Sequence, residues 1–137
     1  MLRQGPIPRF LHGFIEYAAG VLLIVAPFLL SFASDAAVAL SIVAGVVVIV
    51  IAASTEGPTS LINSIPLAAH VLLDFALVAV LIAAPFLFGF SSESTPTAFF
   101  IVLGVLHLLV TIGTRFKPSR EQPAQADAGD IADEMFR

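Results

Sequence analysis

Cysteine is absent from the 137 residues, which excludes a disulfide framework, Cys-ligated zinc, an iron–sulfur cluster and thiol chemistry. Charge is also scarce. Asp, Glu, Lys and Arg make up 12% of the chain, against roughly 25% in soluble domains. Hydrophobic residues reach 58% and mean hydropathy is +1.02. A small soluble domain has a large surface to cover, and too few polar residues are present here to cover it. Basic residues are few, six in all with a formal net charge of −4, and they lie outside the apolar stretches. No basic face exists to track phosphates, so nucleic acid is not an expected partner. The composition is that of a membrane protein, with the lipid bilayer as its first partner.

The sparse charges divide the chain. No Asp, Glu, Lys or Arg occurs between Glu16 and Asp35, Asp35 and Glu56, Glu56 and Asp74, Asp74 and Glu93, or Glu93 and Arg115. Crossing the hydrocarbon core takes about 20 mostly apolar residues in a helix. Four such spans are expected: 14–32, 36–53, 67–90 and 98–114. Barrel strands would be about ten residues long and alternating, which these unbroken runs are not. The remainder reads as an N-terminal segment 1–13, a link 54–66 and a tail 115–137.

Cations set the orientation. Arg3 and Arg9 precede the first span, Arg115, Lys117 and Arg120 follow the last, and the links after spans one and three carry only Asp35 and Glu93. By the positive-inside rule both termini and the middle link are expected on the cytoplasmic side. Ser31-Phe32-Ala33 resembles a small-residue cleavage site, yet the first apolar run exceeds a typical signal h-region. The run also has a twin that cannot be a signal, so it is expected to stay as a span.

That twin comes from an internal repeat. At an offset of about 58 residues Pro8 meets Pro66, His12 meets His70 and Glu16 meets Asp74. Ala26-Pro27-Phe28-Leu29 meets Ala84-Pro85-Phe86-Leu87, Phe32 meets Phe90, and Asp35 meets Glu93. After one inserted residue Gly45-Val46 meets Gly104-Val105 and Thr55 meets Thr114. Apolar matches are cheap in membrane sequences; matched Pro, His, acid and Gly are not. Two spans per copy make the repeats parallel, related by a pseudo-two-fold axis along the membrane normal. The expected fold is all-α and integral to the membrane: four transmembrane helices, two tandem two-helix repeats, one four-helix bundle.

These features resemble the SPW-repeat membrane proteins of bacteria. An acid early in the first helix, a Pro-aromatic pair near its outer end and a Gly inside the second helix carry the likeness, from Pro8 to about Arg115. The Ser-Pro-Trp signature stands as Ala26-Pro27-Phe28 and Ala84-Pro85-Phe86, and the chain has no Trp. The resemblance implies a bacterial inner-membrane location and the two-span repeat. It implies no particular biochemical activity.

Five polar residues are candidates for chemistry. His12 and Glu16, and His70 and Asp74, are i, i+4 pairs on one helix face. His107 lies inside the fourth span with Gly104 and Thr111 on its face. Ionisable residues in spans are costly and usually face the bundle interior or a water-filled cavity. They could handle protons or ions, or hold a metal or haem through two of the histidines. Against this, His12 and Glu16 fall near the headgroups, where the pair could satisfy itself and anchor the helix. Asp74 and His107 are expected deeper, with a structural interhelical hydrogen bond as an alternative to function. No pattern of residues supporting metal ligands is visible in the sequence, so no metal and no cofactor is expected.

Pro27 and Pro85 each remove a backbone donor and free the carbonyl of Leu23 or Leu81, which predicts a kink. A broken helix lining a pathway is the functional alternative. Ala37, Ser41 and Gly45 form a small-residue stripe for close packing, within the bundle or against another subunit. The Pro-, Gln- and acid-rich tail reads as flexible. Its end, with Ile131, Met135 and Phe136, could be a docking peptide.

No zinc-protease motif, nucleophile elbow or phosphate loop appears, and an enzyme is not expected. Small size, bulk apolarity and a distinct tail fit an accessory or scaffold subunit with a protein partner, or a homo-oligomer. The alternative is proton or small-ion translocation through a polar cluster around Asp74 and His107.

Overall fold

The computed structural model describes residues 5–116. Four helices account for most of them: α1 (Arg9–Leu29), α2 (Asp35–Ser54), α3 (Leu67–Leu87) and α4 (Ser94–Gly113). Each is long and apolar enough to cross a membrane, and the chain is a multi-pass membrane protein built as two helical hairpins. The possible docking residues Ile131, Met135 and Phe136 lie outside the described residues.

Two helices start earlier than the apolar runs predict. α1 begins at Arg9 rather than near Phe14, behind Pro8 in extended backbone. Its first turns carry His12 and Glu16 inward, so these residues do not need the headgroups and the helix can extend past them. α4 begins at Ser94, and its Pro96 sits in the first turn, where a missing N–H costs nothing. At the other end of α1, Leu30 N–H reaches Ala26 O and Phe32 N–H reaches Pro27 O, with Ser31 at φ 51°. The repeat reproduces this at Phe88, Phe90 and Gly89, at φ 75°. Both are Schellman ends.

Close approach holds the first hairpin. A Cβ on Gly45 would lie 2.6 Å from Gly20 O, and one on Gly20 would lie 3.0 Å from Gly45 O. Only glycine admits backbones at this separation. The stripe of Ala37, Ser41 and Gly45 is buried here, against α1, so of the two packing partners the sequence left open it meets its own hairpin. Ser41 Oγ donates to Leu23 O at 2.5 Å, filling the carbonyl that Pro27 leaves free. Both α1 and α3 run through their prolines as continuous helices, which corrects the broken-helix alternative. Phe28 and Phe86 point outward, while Phe32 and Phe90 enter the core.

The repeats close on each other at the end bearing the Ser54–Pro66 link. There β1 (Ile7–Pro8) pairs in parallel with β2 (Thr114–Arg115), with Ile7 opposite Thr114. The same pairing recurs one repeat on, as a bridge between Ile65 and Thr55. Each second helix is thus tied to the entrance of the other repeat's first helix. Towards the opposite end, Leu23, Ala26, Leu81, Ala84, Phe32, Phe90 and Phe100 form a continuous apolar core.

Candidate functional site

The strand-like ties draw the first helix of each repeat to the pseudo-two-fold axis. His12 and His70 lie one turn into α1 and α3, and Glu16 and Asp74 one turn further. At about 1.5 Å per residue the carboxylates lie roughly 10 Å from the helix starts. His12, Glu16, His70 and Asp74 are 2–3% exposed, and His107 is 5% exposed. His12 and Glu16 pair with each other at 3.7 Å but not in isolation. They meet the second repeat in the interior, because β1 and β2 seat the start of α1 against the end of α4.

The geometry crosses between repeats. His12 Nε2 lies 3.4 Å from His70 Nε2, 3.4 Å from Asp74 Oδ2 and 3.7 Å from Glu16 Oε2. His70 Nε2 lies 3.4 Å from Glu16 Oε1 and 3.5 Å from Asp74 Oδ1. One donor atom from each of these four residues can be chosen so that all lie within 4.8 Å of one another. From α4, His107 Nε2 stands 3.4 Å from Asp74 Oδ1 without forming a hydrogen bond. The interhelical hydrogen bond to Asp74 comes instead from Thr111, whose hydroxyl donates to Oδ2 at 3.3 Å.

Behind each central imidazole stands a threonine that sequence reasoning missed. His12 Nδ1 is 2.8 Å from Thr114 Oγ1, and His70 Nδ1 is 2.9 Å from Thr55 Oγ1. Each hydroxyl donates its own proton to a helix carbonyl, Thr114 to Val110 O at 2.6 Å and Thr55 to Ile51 O at 2.7 Å. A hydroxyl has one proton, so in both pairs Nδ1 carries the ring proton and Oγ1 accepts it. Whenever a ring is neutral its tautomer is thereby fixed, with the Nε2 lone pair facing the centre. The Thr55–Thr114 match in the repeat was the available signal. Polar residues matched between repeats, just past the last apolar residues of a span, mark a shared role.

A 30 Å³ cavity reaches the centre from the link end, lined by His12, Glu16 and His70 together with Arg9, Glu56 and Phe116. Phe116 packs edge-on against His12, with centroids 5.3 Å apart. On the lipid-facing side an apolar cavity of 260 Å³ between α2 and α3 has Glu16 and Asp74 among its walls. The site can therefore gather and hold a small cation among imidazole nitrogens and carboxylates.

A family model for the SPW repeat domain matches residues 9–114. The chain belongs to the SPW repeat family. The match runs from the first residue of α1 to the first of β2 and takes in both halves of the buried centre. In this member the family's Ser-Pro-Trp position reads Ala26-Pro27-Phe28 and Ala84-Pro85-Phe86, at the far end of α1 and α3 from the histidines. No curated protein and no solved structure matches the chain.

Proposed function

We propose that this chain is a small, non-enzymatic membrane protein that binds and releases a small cation, a proton or a metal ion, at the centre formed by His12, Glu16, His70, Asp74 and His107. The observation that carries this reading is the convergence of five ionisable side chains from α1, α3 and α4, all buried, with both central Nε2 atoms aimed at one another and at two carboxylates. Lone pairs and carboxylate oxygens facing each other in a low-dielectric interior repel unless positive charge lies between them. Entry is from the link end, through the cavity beside Arg9 and Glu56. The cations flanking the spans support a cytoplasmic position for that end, in a bacterial inner membrane.

This departs from transport across the membrane. Beyond the centre the surroundings are apolar, with Leu23, Leu81, Phe90 and Phe100 in the core and the 260 Å³ cavity walled by apolar side chains apart from Glu16 and Asp74, which argues for binding from the polar face. It departs also from a pure scaffold: the stripe of Ala37, Ser41 and Gly45, which could have met another subunit, packs within the first hairpin.

Infrared difference spectroscopy of the protein in lipid, recorded as bath pH is stepped from about 5 to 9, tests the reading. Carboxylate and imidazole bands should change reversibly in the wild type and be lost in the Glu16→Gln/Asp74→Asn double variant. Indistinguishable difference spectra from the two proteins would reduce the centre to a structural hydrogen-bond network.

A further inference from the structure

We infer that the centre is a binding site for one divalent first-row transition-metal ion, held by His12 Nε2, His70 Nε2 and one oxygen each from Glu16 and Asp74. This deepens the reading above and rests on it, by naming the cation.

The spacing of the donors is the first argument. A tetrahedral ion with metal–ligand distances of about 2.0–2.2 Å holds its ligands about 3.3–3.6 Å apart. One atom from each of the four residues can be chosen with all within 4.8 Å of one another, so a single ion requires each carboxylate to turn one oxygen towards it. The histidine nitrogens lie 3.4 Å apart, and each lies 3.4–3.7 Å from an oxygen of both carboxylates, His12 facing Glu16 Oε2 and Asp74 Oδ2 and His70 facing Oε1 and Oδ1. That is long for charge-assisted hydrogen bonds, which close to about 2.7–2.9 Å, and fits the edges of a coordination polyhedron. The four residues come from two helices related by the repeat, so one ion on the pseudo-axis satisfies both copies.

Hydrogen-bond chemistry points the same way. Metal-ligating histidines typically donate their other ring N–H to an acceptor that fixes tautomer and orientation. Thr114 and Thr55 do this for His12 and His70, with their own protons spent on Val110 O and Ile51 O. Thr111 does the corresponding work for Asp74. The sequence expectation of no metal rested on the lack of any such supporting pattern, and these three threonines supply it.

Charge and an unpaired donor complete the case. With both carboxylates ionised and the imidazoles neutral the four ligands carry −2, which a divalent ion cancels, leaving a neutral centre inside the bilayer. His107 Nε2 is buried without a hydrogen-bond partner and directed at Asp74 Oδ1. It is a fifth donor should coordination expand. Imidazole with carboxylate suits zinc, iron, cobalt or nickel, and does not suit magnesium, calcium or a soft monovalent ion.

The test uses full-length protein purified in mild detergent through a tag free of histidine, stripped with a chelator, then titrated with Co²⁺. Visible d–d absorption should grow to saturation at one ion per chain and be displaced by Zn²⁺ but not by Mg²⁺. Thr55→Val and Thr114→Val should each weaken Co²⁺ binding about 10–100-fold. Threonine-to-serine changes should restore it. His12→Gln and His70→Gln should abolish the absorption, and thermal melts of the metal-free proteins verify that each variant is folded. Folded wild type that gives no saturable Co²⁺ spectrum overturns the metal site. If its infrared bands still respond to pH, the proton reading survives alone; if they do not, both fail. Co²⁺ binding that is unchanged in folded His12→Gln and His70→Gln also overturns the assignment.

Discussion

A histidine inside a bilayer is defined by what its two ring nitrogens meet. In His12 and His70 one nitrogen meets a threonine already committed to a backbone carbonyl, so the chemistry of the other is set before any cation arrives. Ser41 acts in the same manner on the backbone. Its hydroxyl fills Leu23 O, which Pro27 leaves without its helical donor. The second repeat has Phe100 at the matching position, so this bond exists in one hairpin only. Ser41→Ala should destabilise the protein by about 1–3 kcal/mol through the orphaned buried carbonyl. A lowered thermal unfolding midpoint in detergent checks it, and an unchanged midpoint would mean that another group reaches Leu23 O.

At the scale of helices, much was legible. Lengths of charge-free sequence gave the four spans to within a few residues, because hydrocarbon thickness fixes helix length. The repeat offset paired His12 with His70 and Glu16 with Asp74. What sequence could not supply was depth. A His and an acid at the start of an apolar run look like headgroup residues, and only the β1–β2 tie shows that α1 enters against α4. The start of α1 at Arg9 follows from the same tie. The fate of the small-residue stripe was open for a similar reason. Ala37, Ser41 and Gly45 signal close packing in any context, and the facing Gly20 on α1 is what selects the hairpin.

For the molecule as a whole, two hairpins related by a pseudo-two-fold axis make one end polar and tied, and the other apolar. The centre is therefore one-sided, and orientation decides which compartment it samples. Because the chain has no cysteine, single replacements report that directly. Cysteine at Glu56 should resist a membrane-impermeant thiol reagent in intact cells and react after permeabilisation. Cysteine at Asp35 should react at once. The reverse pattern would place the centre's entrance on the outer face.

The most direct test of the account is nitrogen NMR of the ring-labelled histidines in the metal-free protein, at a pH where the rings are neutral. His12 and His70, assigned through single His→Gln variants, should both carry their proton on Nδ1 with Nε2 bare, and Nε2 alone should respond strongly as a cation is added. Rings protonated on Nε2 with bare Nδ1 would contradict the threonine-locked geometry, and with it a centre built to receive positive charge.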